Sequence, residues 1–409
     1  MNAPRLTMRG RTFLAAGVLV VVAATLLGFP DVTRIGVLLA VLPLLACLSI
    51  WRRAPRLAVA RHVAPVHLQR GEDAHVRLEL RNDGRRATLP HLAEEHVDPA
   101  LGAPARFVLP RMAPQEVQTL TYPLHATVRG SYHLGPVRLG LTDPFGMAGT
   151  VLTLRPTAEV LVLPRVEPID GPGLRRQGGT GDWPVPHMVA TQGEDDVSTR
   201  TYRVGDDLRR IHWPATAHRA ELMVRQEERP ARRRAVLVLD SRRTAHRGHG
   251  DGSSFEWAVS AVASVAVHLA AQGYSLQLVS TETVRDGRAG EVLGVDVVLR
   301  YLAVALPEAG DLEPVLRAAR SSAPGALIAV VADEDAEALH QLARARGSGT
   351  TGILLVLRTD TFAPGTEPRP TAELVGIARQ AGWRTEAVDA ETSVRTVWHH
   401  LARSRETVR

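Results

Sequence analysis

The sequence predicts a multi-domain membrane chain: two N-terminal transmembrane helices, an all-β domain, and a C-terminal α/β doubly wound domain. Three observations predict it. Two long uncharged apolar runs come first, a stretch in which apolar residues alternate with polar ones follows, and short apolar runs then alternate with helical patterns. At 409 residues and 45% hydrophobic content there is room for two soluble domains beside a membrane segment, since single domains usually run to ~100–200 residues.

Composition excludes some chemistry. All 49 basic residues are arginine. Without lysine the chain offers neither a Walker-type phosphate loop nor a Schiff base. The single cysteine, Cys47, lies in an apolar run, which removes internal disulfides, thiolate zinc sites and an exposed thiol nucleophile.

No residue is charged from Thr12 to Phe29 or from Ile35 to Trp51, and ~17–25 apolar residues suffice to cross the hydrocarbon. A two-helix transmembrane hairpin is expected over 12–51. Arg5, Arg9 and Arg11 precede it and Arg52, Arg53 and Arg56 follow it, so both ends and the soluble domains are expected in the cytoplasm. A cleaved signal peptide is the competing reading, but no small-x-small site follows Gly28 and the second run would be unexplained. A hairpin that dips in without crossing is another, and it leaves the soluble part on the same side.

Over 57–165 the period becomes two: Val76, Leu78 and Leu80 alternate with charged residues, and Leu120, Tyr122, Leu124, Ala126 and Val128 repeat the pattern, as do Val137, Leu139 and Leu141. Asn82-Asp83-Gly84 and Asp143-Pro144-Phe145-Gly146 supply turns. An immunoglobulin-like sandwich is expected, acting as spacer or protein-binding module. His62, His67, His75, His91 and His96 are too scattered to point to a metal.

A Gly/Pro-rich connection fills 166–199. The segment 200–230 is the most unusual in the chain: between Arg200 and Arg234 stand ten arginines against five acidic residues, in a chain whose net charge is +6. Arg200, Arg209 and Arg210 with Tyr202 and Trp213 suit an acidic protein surface, anionic headgroups or stacked nucleic acid. Alternatively, Asp206 and Asp207 pair with those arginines while Trp213 fills a gap against the sheet. An enzymatic variant would use Asp206, Asp207 and His212 as metal ligands or as acid and base.

Over 231–403, strands are expected at Ala235 to Leu239, Ser275 to Val279, Ala326 to Ala332, Gly352 to Leu357 and Thr385 to Val388, with helical stretches at Glu334 to Ala345 and Thr371 to Ala381. Ser253-Ser254-Phe255-Glu256 reads as a capping box before a helix that buries Phe255, Val259, Val262, Ala266 and Leu269 and stops at Gly273. Ligands in such sheets bind beyond the carboxyl ends of strands, where Asp240 and Asp333 fall. His399 and His400 decorate the last helix.

The string Arg200, Tyr202, Gly205, Asp206, Asp207, Arg209, Arg210, Ile211, His212, Trp213 and Thr216, with Ala217, Leu222, Arg225 and Glu227 after it, resembles the signature of the bacterial family known as domain of unknown function 58. Pro214 stands where that pattern commonly has Lys, and His218 where it has Arg. The resemblance implies two membrane helices, a β-rich domain ending near Asp-Pro-Phe-Gly, and a von Willebrand A-like domain. It also implies a MoxR-type AAA+ ATPase as partner, and a role in assembling or maturing envelope complexes with other membrane or envelope proteins. The chain would then be a membrane-anchored scaffold without catalytic residues. A metal-dependent hydrolase or nuclease, and a basic lipid- or nucleic-acid-binding module, are the alternatives; on the scaffold reading no nucleic acid is expected. No cofactor is expected beyond Mg²⁺ at a degenerate adhesion-type site of Asp240, Thr244 and Asp333, where Arg242 replaces the first serine of Asp-x-Ser-x-Ser.

Overall fold

The structure, a computed structural model, describes residues 3–170, 199–201, 211, 213–219, 221–225, 234–322, 325–334, 336–343, 350–363, 365, 367 and 369–403. The chain divides into two compact units. One comprises Met1–Glu167, His249–Gly252 and Asp296–Leu306; the other comprises Pro168–Gly248, Ser253–Val295 and Pro307–Arg409.

The first unit opens with strand β1 (Arg5–Leu6), then helices α1 (Met8–Leu27) and α2 (Pro30–Arg53). Both helices are long and apolar enough to span a membrane, and most of their large apolar side chains are exposed. Thr7 caps α1: its hydroxyl oxygen accepts from the Gly10 amide at 3.3 Å and donates to the Gly146 carbonyl at 2.6 Å. Gly28, at φ 76°, ends α1 in the left-handed conformation, and Pro30 opens α2.

The two helices meet along small residues. Gly10, Gly17 and Ala24 are the buried positions of α1, and Gly36, Pro43, Ala46 and Ile50 those of α2. A Cβ on Gly17 would stand 2.5 Å from the Ala40 nitrogen, and one on Gly36 2.8 Å from the Val21 nitrogen. The backbones themselves touch, as in tightly packed membrane helix pairs.

The β part continues with β2 (Leu57–Ala64), β3 (Leu68–Gln69), β4 (Asp73–Asn82), β5 (His91–Glu95), β6 (Ala105–Leu109), β7 (Val117–His125), β8 (Gly130–Leu134), β9 (Val137–Thr142), β10 (Ala148–Leu154) and β11 (Ala158–Leu163). They form three sheets, β1-β10-β9-β5-β6, β2-β4-β7 and β3-β11-β8, antiparallel except for the β3–β11 pair. Alternation drives the fold: in β4, Ala74, Val76, Leu78 and Leu80 are fully buried while Asp73, His75 and Arg77 are exposed.

Both ends of the helical hairpin are tied into these sheets. Arg5 and Leu6 pair with Gly149 and Ala148, the Thr7 amide donates to the Met147 carbonyl, and α2 leads into β2. Inside, Arg61 and Glu95 form an ion pair at 2.7 Å with side chains 2% and 0% exposed, and Arg61 also donates to the Pro156 carbonyl. Burial pushes the Glu95 carboxyl above its usual range while Arg61 pulls it back. The helix over Val295–Val304 largely clusters with this unit, and Arg129 donates to the carbonyls of Leu302, Ala303 and Ala305 at its end.

The second unit contains a small hairpin, β12 (Thr199–Thr201) and β13 (Met223–Arg225), with α3 (Trp213–Arg219) between them. Its main sheet has five parallel strands, β14 (Arg234–Leu239), β15 (Ser275–Val279), β16 (Ala326–Ala332), β17 (Thr351–Leu357) and β18 (Arg384–Val388), in the order β15-β14-β16-β17-β18. β16 is buried throughout, as parallel strands covered on both faces are.

The helices of this α/β region are α4 (Ser254–Ala271), α5 (Thr281–Arg285), α6 (Val295–Val304), α7 (Glu313–Ser321), α8 (Ala336–Ala343), α9 (Thr371–Gln380) and α10 (Val394–Arg403). By length and composition α4 also could cross a membrane. It packs on the sheet instead: Phe255, Val259, Val262, Ala266 and Leu269 are at most 2% exposed. Ser253 caps it, accepting from the Glu256 amide.

Candidate functional site

The strand order reverses between β14 and β16, the place where parallel α/β sheets offer a crevice at their carboxyl edge. β14 runs out at Asp240 and β16 at Asp333, both buried. Asp240 is held from three sides. The Arg242 amide and Nε donate to its Oδ1 at 3.1 and 3.0 Å, Nη2 donates to Oδ2 at 2.9 Å, and the Ala332 amide reaches Oδ2 at 3.3 Å. Such a fork-shaped, two-pronged pair is among the stronger hydrogen-bonded arrangements proteins use.

Asp333 is also fully engaged. Its Oδ1 accepts from the Thr359 amide and hydroxyl at 3.3 and 2.6 Å, and its Oδ2 from the Thr371 hydroxyl at 2.8 Å. Thr244 is exposed and its carbonyl accepts from Arg247. These residues do not fit the divalent cation of an adhesion-type site. Arg242 places a fixed positive charge on both oxygens the cation would need, and no cluster of three or more His, Cys, Asp or Glu suited to a metal occurs among the described residues.

A residue with no clear sequence signal completes this edge. His246 lies between the Asp240 carbonyl, 2.8 Å from Nε2, and the Ser254 hydroxyl, 2.9 Å from Nδ1, with its ring edge-on to Phe255 at 5.2 Å. Nε2–H is therefore the donor to the carbonyl, and Nδ1 accepts from Ser254. Burial pushes its pKa below the usual value, with Asp240 opposing, so the ring is neutral. Around it, Arg247 and Arg369 approach Glu334 at 3.4 and 3.6 Å. The Ser241 hydroxyl donates to that of Thr281 at 2.9 Å. Asp240, Asp333 and His246 are thus engaged by the protein's own groups, which makes this edge a largely self-satisfied polar face.

Part of the arginine-rich segment lies among the described residues. Thr199, Arg200 and Thr201 pair antiparallel with Arg225, Val224 and Met223, and Ile211 bridges to Val224. Thr216 accepts from the Met223 amide at 3.0 Å, tying α3 to the hairpin. Trp213 does not fill a gap against the sheet: it opens α3 and is 64% exposed. Tyr202, Gly205, Asp206, Asp207, Arg209, Arg210 and His212, and the Arg200 side chain, lie outside the described residues, as do the acid, base and ligand roles considered for three of them.

Residues 198–362 match the model of a family described as "Protein of unknown function DUF58". The chain thus carries a DUF58 domain that includes the small hairpin and most of the parallel sheet. No curated protein matches the sequence. Among solved structures the chain is similar to the CARDB domain of a Pyrococcus furiosus protein in complex with di-metal ions, at 19% identity over 27% of this chain and 94% of that one, TM-score 0.21. It is also similar to an alkylpurine DNA glycosylase of Pseudomonas fluorescens, at 14% identity over 32% and 38% of the two chains, TM-score 0.19. A β-glucosidase of Listeria innocua matches at 16% identity over 27% and 16%, TM-score 0.17. Similarity at this level carries no functional argument.

Proposed function

We propose that this chain is a membrane-anchored scaffold or adaptor that works with a MoxR-type AAA+ ATPase in the assembly or maturation of envelope protein complexes, its soluble units in the cytoplasm. The observation that carries the reading is the pairing of a two-helix anchor with a parallel α/β sheet whose carboxyl edge is closed by its own charges. A sheet edge in which Arg242 neutralises Asp240 and threonine hydroxyls saturate Asp333 is built for surface contact, not for turning over a small molecule. The missing lysine fits a division of labour in which the partner hydrolyses nucleotide. The β unit, read as an immunoglobulin-like sandwich, acts as the spacer between anchor and contact face, and the C-terminal unit as a von Willebrand A-like contact domain that needs no metal.

The test is calorimetric titration of the full chain, in lipid nanodiscs, with the purified MoxR-type ATPase of the same cell, with and without Mg²⁺ and ATP. Saturable binding that survives removal of Mg²⁺ in the nucleotide-free arm is the expected result. No heat in any arm, with both proteins folded, refutes the adaptor reading.

A further inference from the structure

Where α2 leaves the apolar span, the first unit contains a cavity of about 960 Å³. Ile50, Arg52 and Arg53 of α2 form one wall, Arg56 continues it, and Arg85 and Arg86 from the β4–β5 loop face them. Five arginines thus line one cleft whose single acidic residue is Asp143. That carboxylate is occupied by its own loop, accepting from the Phe145 amide at 3.0 Å and the Ala148 amide at 2.6 Å. The nearby Asp83 is paired with Arg81 at 2.6 Å. Among the described residues, none of the five guanidinium groups makes an ion pair or hydrogen bond. Five like charges around one cleft repel one another, and an anion inside relieves that repulsion.

The loop carrying two of these arginines is built, not loose. Asn82 is fully buried. Its amide nitrogen donates to the Arg86 carbonyl at 2.9 Å and to the Met112 and Ala113 carbonyls, while its oxygen accepts from the Gly84 amide at 3.0 Å. The backbone that carries Arg85 and Arg86 is therefore held in place across the cavity from the end of α2 by buried Asn82.

We propose that this cavity binds an anionic phospholipid, the headgroup phosphate on the arginines and the acyl chains along α2. Guanidinium is the side chain suited to phosphate oxygens, and basic pockets beside spanning helices are where acidic headgroups lodge. Position selects a lipid over a soluble phosphate. One wall is the last turn of an apolar span, and Trp51, 62% exposed, stands one residue before Arg52 at the level aromatic side chains occupy at a bilayer surface. An occupant of the cleft thus meets charge at one end and hydrocarbon at the other.

The full chain, purified in detergent, is examined by native mass spectrometry and thermal unfolding with phosphatidylglycerol, with phosphatidylcholine of the same chain length, and with inorganic phosphate. Phosphatidylglycerol is expected to stay bound and raise the unfolding midpoint, with at least tenfold weaker retention for the other two. The variant Arg53→Gln/Arg85→Gln/Arg86→Gln should lose that retention at least tenfold. The charge-matched control Arg77→Gln/Arg111→Gln/Arg138→Gln, which changes arginines outside the cavity, should keep it. Equal retention of phosphatidylcholine, equal stabilisation by inorganic phosphate, or equal loss in both triple variants overturns the proposal. If the cavity triple unfolds without lipid, Arg85→Gln and Arg86→Gln on the exposed loop replace it, each expected to weaken retention severalfold; unchanged retention in both overturns the proposal as well.

Discussion

Removing the guanidinium of Arg242 would leave buried Asp240 without its charged partner, and breaking a buried pair in this way typically costs about 3–5 kcal/mol. Arg242→Ala should therefore lower the unfolding midpoint sharply. Arg242→Ser should lower it too, but it restores the Asp-x-Ser-x-Thr spacing that suits Mg²⁺, so Mg²⁺ should recover part of the loss in that variant and none in the wild type. Thermal unfolding of the full chain with and without Mg²⁺ decides it; a Mg²⁺-stabilised wild type would mean that Arg242 yields its place to the ion. Asp240 and Arg242 were visible as near neighbours at the end of an obvious strand, and the structure pairs them. His246 was not, since what fixes it is the Ser254 hydroxyl and the Asp240 carbonyl, brought together only when α4 packs on the sheet. Arg85 and Arg86 carry no signal of their own in the sequence for the same reason: their meaning comes from the end of α2, far away in sequence.

Strands β15 and β16 are found at the very residues expected, Ser275–Val279 and Ala326–Ala332, and β14, β17 and β18 begin one residue earlier than read. Fully buried parallel strands are uniform apolar runs that end abruptly, so their limits are visible in sequence. Short α5 and two-residue β1 have no period to read, being defined by a Ser280–Thr283 capping box and by pairing with β10. Hydropathy averaging likewise shows an apolar span and hides the face on which Gly17 and Gly36 bring two backbones together. Gly17→Leu should force α1 and α2 apart at a cost of about 1–3 kcal/mol, lowering the midpoint in detergent. Ala16→Leu, on an exposed face of α1, should change little; equal effects would mean that the close approach contributes nothing.

At the scale of the whole chain, the order of anchor, β part and α/β part follows from changes of period along the sequence, whereas α6 clusters with the first unit, which no local pattern could announce. Because β1 and β2 lie in the same unit on either side of the hairpin, reporters fused to the two termini should both be active on one side, the arginine-rich side that the proposed topology places in the cytoplasm. Reporters active on opposite sides would contradict the two-pass arrangement, and both active only outside would contradict the proposed orientation. The pairing of β1 with β10 also sets an order of events during synthesis. Arg5 and Leu6 leave the ribosome well before Ala148 and Gly149, which follow only after both helices and most strands of the first unit have been made. The β1 segment, made early, is therefore among the last to be placed in its sheet, and until then the outer edge of β10 stays open to any other strand. A chain interrupted before Ala148 would reach the bilayer with its leading strand still unpaired.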